Sequence, residues 1–113
     1  ITGLPREVVI TDSDIREAMA SSIDNLIESA KEVLETTPPE ILSDVMHRGV
    51  HLVGGGALIK GLDELLSTAL KIPVYIAEDP LTAIARGTGI ILDDLDKYQS
   101  VLIENEDELP SQR

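Results

Sequence analysis

Val50-His51-Leu52-Val53-Gly54-Gly55-Gly56-Ala57-Leu58 decides how this chain is read: a short apolar run that ends in three consecutive glycines. The run Val50–Val53 predicts a strand, entered from Gly49 and left through the glycines. Glycine at the end of a strand clears side chains from the turn, so that a ligand can approach the main chain. Main-chain amides at such a turn, with a helix following, favour an anion. The competing reading is a tight strand-to-helix turn that binds nothing. Each glycine costs about 0.5–1 kcal/mol of conformational freedom relative to alanine, a reason to expect more than a bare turn from three in a row.

Working outward, the order of elements follows from local patterns. Upstream, Glu7-Val8-Val9-Ile10-Thr11 is β-branched, follows Gly3 and Pro5, and predicts a strand. Thr11-Asp12-Ser13-Asp14 offers capping oxygens and negative charge for a helix start. Apolar or small residues then recur at helical spacing from Ile15 through Leu34, predicting a helix over 13–35 with its weakest turn at Ser21-Ser22. Thr36-Thr37-Pro38-Pro39 ends it, a second helix over 38–48 follows, and Gly49 is its stop. Downstream, Leu62, Leu65, Leu66, Ala69 and Leu70 mark a helix. Ile72–Ala77 marks a strand with Pro73 at its entry, and Glu78-Asp79-Pro80 a turn. Residues 81–98 predict a last helix, and the residues beyond Leu102 an acidic, disordered tail.

The string is β-α-α-β-α-β-α, an α/β class with 50–53 and 73–77 paired in parallel through a crossover. Such a sheet is small and incomplete for four helices. The expectation is that its missing strands lie in a part of a longer polypeptide, or that the segment docks on a partner. A chain that begins at Ile1 reads as if cut from something longer.

Composition narrows the functions. The chain has 113 residues, 42% hydrophobic, enough for a core, and 2% aromatic, so that core must be aliphatic. It has no cysteine, hence no disulfide, thiolate metal site or thiol nucleophile. A net charge of −12 repels phosphate backbones and anionic headgroups, so this stretch is expected to hold no nucleic acid and to make no membrane contact of its own.

Gly56 and Gly61 have the P-loop spacing, but Leu62-Asp63 stands where Lys-Ser/Thr is required. The dinucleotide pattern has Gly54 and Gly56 but Ile59 in the third glycine's place, with Glu78 or Asp79 near the ribose-binding distance. A Rossmann-like dinucleotide-binding enzyme domain therefore stays open as an alternative. His47 and His51 are four apart but separated by Gly49, which argues against a helical metal pair. Asp79 beside Pro80 reads as a turn and helix-capping residue, and no hydroxyl has an adjacent base.

His51 to Leu62 resembles the adenosine motif of the actin and sugar-kinase ATPase superfamily. Joined to Ile72-Pro73-Val74, Ala77-Glu78-Asp79-Pro80-Leu81-Thr82 and Arg86-Gly87-Thr88-Gly89, it resembles the MreB/Mbl family of bacterial actins. The resemblance reaches upstream to Gly3-Leu4-Pro5 and Thr37-Pro38-Pro39-Glu40. It implies the fold of an actin-like (RNase H-like) ATPase domain. Residues 1–93 would form the C-terminal part of its second domain, mostly subdomain IIA, and 94–113 a helix end and tail. It implies that Gly54, Gly55, Gly56, Ala57 and Leu58 line an ATP site, and that 81–93 is an interdomain helix in which Gly87 and Gly89 allow close crossing. The family's phosphate loops, catalytic acids, magnesium ligands and membrane element have no counterpart here, so no catalytic residue is assigned. The parent is expected to be a cytoplasmic, membrane-associated, ATP-dependent filament that determines cell shape, with a RodZ-like membrane partner.

Overall fold

The computed structural model describes residues 3–103. Its first helix, α1 (Asp12–Thr36), starts where the capping oxygens predict. The Thr11 hydroxyl accepts from the Asp14 amide at 3.3 Å, and the Asp14 carboxylate accepts in return from the Thr11 amide at 2.8 Å. This reciprocal box satisfies amides that a helix start leaves without partners. Hydrogen bonds to the Thr11 hydroxyl and then to its amide hold the Asp14 carboxyl below the ordinary aspartate value. The helix runs unbroken through Ser21-Ser22. It ends where the Thr37 hydroxyl donates to the Val33 carbonyl at 2.7 Å.

Helix α2 (Pro39–Arg48) begins on proline, whose missing amide costs nothing there, and ends at Gly49 with φ 79° and ψ −177°. Strand β1 (Val50–Leu52) follows at once. After it come a short 3₁₀ turn (Gly55–Leu58), helix α3 (Leu62–Leu70) and strand β2 (Val74–Ile76). The two strands form one two-stranded sheet. The Val50 amide donates to the Pro73 carbonyl at 2.8 Å and the Ala77 amide to the Leu52 carbonyl at 3.0 Å, the slanted register of a parallel pair. The predicted β-α-β unit is therefore present.

The chain divides into two compact units, Ile1–Val50 with Glu64–Val74, and His51–Asp63 with Tyr75–Arg113. In the first, Ile27, Leu66, Ile72 and Val74 are buried, and the Ser67 hydroxyl donates to the Ile72 carbonyl at 2.9 Å, closing the turn after α3. In the second, Ala57 and Leu62 are buried. The core is aliphatic, as a chain almost without aromatics requires.

Two expectations are corrected. Residues 7–11 form no strand: they run up to α1 without a ladder partner, with Val8, Val9 and Ile10 exposed at 74%, 84% and 67%. β-branched residues favour an extended backbone, but a strand exists only where a neighbour accepts its hydrogen bonds. The single helix predicted over 81–98 is two, α4 (Ala83–Asp93) and a one-turn α5 (Leu95–Tyr98), followed by a 3₁₀ turn. Asp94 breaks it: its backbone leaves helical space (φ −145°, ψ 68°) and its carboxylate caps the Lys97 amide at 3.3 Å. The acidic tail from Glu104 lies outside the described residues.

Candidate functional site

The glycine turn is shaped by a requirement at its first residue. Gly54 has φ 81° and ψ −179°, a region that residues with a Cβ essentially do not enter. That conformation turns the chain out of β1 and lets the Gly54 amide donate to the Pro80 carbonyl at 2.7 Å. The turn then closes on itself, with the Ala57 amide donating to the Gly54 carbonyl and the Ile59 amide to the Gly56 carbonyl, each at 3.2 Å. Helix α3 does not start at the glycines but at Leu62. The expectation of a helix dipole behind the glycines is thereby corrected, because the dipole's field falls off within the first turn of its helix. The same fact weakens the dinucleotide alternative, which needs a helix opening directly from the glycines.

What the turn offers a ligand is surface. Gly55 and Gly56 are exposed, and a Cβ built on Gly56 would meet nothing within 4 Å. One built on Gly55 would lie 3.7 Å from Cδ2 of Leu81, an ordinary contact. Ala57 is 3% exposed and is committed to the core, so it can present only main chain; Leu58, at 56%, presents an aliphatic side chain. The five predicted residues are thus a contiguous patch with two different jobs. Gly55, Gly56 and Leu58 face outward, while Ala57 anchors the turn.

The loop after β2 completes the surroundings. Asp79 adopts a left-handed conformation (φ 46°), and its carboxylate accepts from the Thr82 hydroxyl at 2.5 Å. It is a turn residue, as the sequence predicts, while the cap position of α4 is Thr82 rather than Asp79. The Arg86 guanidinium donates to the main-chain carbonyl of Glu78 and, at 3.5 Å, to that of Asp79. Reading by motif misses this contact, although one signal was available: an arginine in the first turns of a helix sits against the dipole and needs another reason to be there. His51 packs its ring against Tyr75 with centroids 5.5 Å apart, and His47 bonds the Ser43 carbonyl, so each has a structural contact. Among the described residues no three His, Asp or Glu side chains gather to hold a metal.

A family model described as MreB/Mbl protein matches residues 1–100. The chain belongs to the MreB/Mbl family. It is 46% identical over 97 residues to the cell shape-determining protein Mbl of Bacillus subtilis, covering 86% of this chain and 29% of that protein. With the cell shape-determining protein MreB of Escherichia coli it shares 40% identity over 104 residues, covering 92% of this chain and 30% of the relative. Among solved structures, MreB5 of Spiroplasma citri bound to AMPPNP superposes with a TM-score of 0.79 at 33% identity, over 88% of this chain and 30% of that one. The same protein bound to ADP gives the same score. The MreB/Mbl chain described here thus spans about three-tenths of the length of these relatives, and its fold is part of the actin-like ATPase fold.

Proposed function

We propose that the turn 54–58 is one wall of a nucleotide site in an actin-like, ATP-dependent filament protein that determines bacterial cell shape. The observation that carries this is the bare main chain at Gly55 and Gly56, exposed, with open space where a Cβ on Gly56 would stand. A base and sugar can lie flat against such a surface, and Leu58 supplies an apolar edge. Family membership and the nucleotide-bound MreB5 structures support ATP as the ligand. The phosphates and magnesium are assigned to parts of the parent outside this chain, and no catalytic group is assigned within it.

Assembly of the parent into a homopolymer, driven by nucleotide binding across two domains, belongs to the same proposal. So do the docking of a RodZ-like membrane protein and a cytoplasmic filament held at the membrane. No described helix is long and apolar enough to cross a membrane.

The test is a titration of the full-length protein with ATP and with NAD, for the native sequence and for Gly56→Val. Saturable ATP binding weakened about tenfold or more by the valine, equivalent to about 1.4 kcal/mol, is the expected result. Binding of NAD without ATP, or ATP binding unchanged by valine, would overturn it. Sedimentation of the full-length protein with and without ATP tests the filament.

A further inference from the structure

We infer that Arg86 is a positioning residue for the nucleotide-facing turn, acting through the loop 78–82; the inference rests on the nucleotide reading given above. The chain of contacts is short and continuous. The Gly54 amide is held by the Pro80 carbonyl at 2.7 Å, and Leu81 packs over Gly55, reaching within 3.7 Å of the place a Cβ would take. Pro80 and Leu81 are therefore the props of the turn. Their own placement depends on Asp79, a non-glycine residue at φ 46°, which stays in that conformation only if its surroundings hold it there.

Two groups do so. Thr82 bonds the Asp79 carboxylate through its hydroxyl and the Asp79 carbonyl through its amide, at 3.1 Å. Arg86, one turn further along α4, reaches back past the helix start to the carbonyls of Glu78 and Asp79. Its own amide donates to the Thr82 carbonyl at 2.9 Å, so the guanidinium is carried by the same helix that the loop leads into. A planar cation with several donors spans two successive carbonyls, which a neutral side chain of the same length does not. The position is otherwise unfavourable for a cation, since it lies in the first turns of α4, where the dipole is positive. Arg86 acts on the loop through the two carbonyls it bonds. Its effect on nucleotide passes through Pro80 to Gly54.

The experiment uses the full-length protein with Arg86→Gln and Arg86→Lys. Hydrogen exchange is followed by mass spectrometry on peptides covering residues 51–58 without nucleotide, and ATP affinity is measured in parallel. Loss of one charge-assisted hydrogen bond at an exposed site predicts exchange about fivefold faster and ATP affinity about fivefold weaker in Arg86→Gln. Arg86→Lys, which keeps the charge and part of the donor set, is expected to lie between that variant and the native protein. Unchanged exchange in 51–58 for both variants would overturn the inference, because Thr82 alone would then hold the loop. Should the native protein bind no ATP, the nucleotide reading fails by itself, and the exchange measurement still decides whether Arg86 positions the turn. If Arg86→Gln does not fold, as judged by circular dichroism, the lysine variant carries the same comparison.

Discussion

Substituting Gly54 by alanine isolates backbone conformation from packing at the centre of the site. The position has φ 81° and ψ −179°, and a Cβ there would meet nothing within 4 Å, so the penalty is conformational alone. Forcing a non-glycine residue into that region costs about 1–3 kcal/mol. Gly56 is the internal control. It is equally free of neighbours, lies within the 3₁₀ turn and does not have a positive φ. Alanine at position 56 should be neutral or stabilise by about 0.4–1 kcal/mol, because it narrows the unfolded ensemble. The two variants should therefore move apart, Gly54→Ala down and Gly56→Ala level or up. Urea denaturation of the full-length protein by circular dichroism, without nucleotide so that binding does not contribute, reads the difference. With slopes of about 1–3 kcal/mol per molar urea, the midpoints should separate by about 0.5 M or more. If Gly54→Ala is as stable as Gly56→Ala, the strain assigned to the exit from β1 does not exist and the account of the turn is wrong.

Other outcomes follow from the same contacts. Thr11→Ala removes the hydroxyl half of the α1 capping box and should lower stability by about 1 kcal/mol in the same denaturation assay. Leu66, 4% exposed, should cost about 3 kcal/mol when cut to alanine, with an unchanged urea slope. Asp14 has a depressed carboxyl in the folded state, so its contribution is complete above the ordinary aspartate range and is lost as pH falls through the lower folded value. Native protein should therefore exceed Asp14→Asn in urea midpoint near neutrality, and the gap should close below about pH 4.

Much of this fold is legible in the sequence, and the rest is not for identifiable reasons. Helix α1, the stop at Gly49 and the parallel pair around α3 follow from local rules, because their signals lie within a few residues of their effects. The failure at Val8-Val9-Ile10 is of another kind. Their side chains favour an extended backbone, but no local pattern supplies the ladder partner that a strand needs. Asp94 shows a local competition misread: hydrophobic spacing continues past it, yet its carboxylate caps the next turn and wins. At the site, the glycines and the turn role of Asp79 could be named in advance. The bracing by Arg86 and the bond between Gly54 and Pro80 join residues that only the folded loop brings together.

The exposed run Val8-Val9-Ile10 has a further consequence for handling this chain. Three β-branched residues in succession, exposed and in no strand among the described residues, are a template onto which another such segment can add edge to edge. Glu7 on one side and Asp12, which also pairs with Arg16 at 3.0 Å, on the other place carboxylates at both borders of that template, so copies added in register would bring like charges together. The carboxylates at these borders thus act as gatekeepers against fibrillar self-association, and neutralising those two flanks would release it.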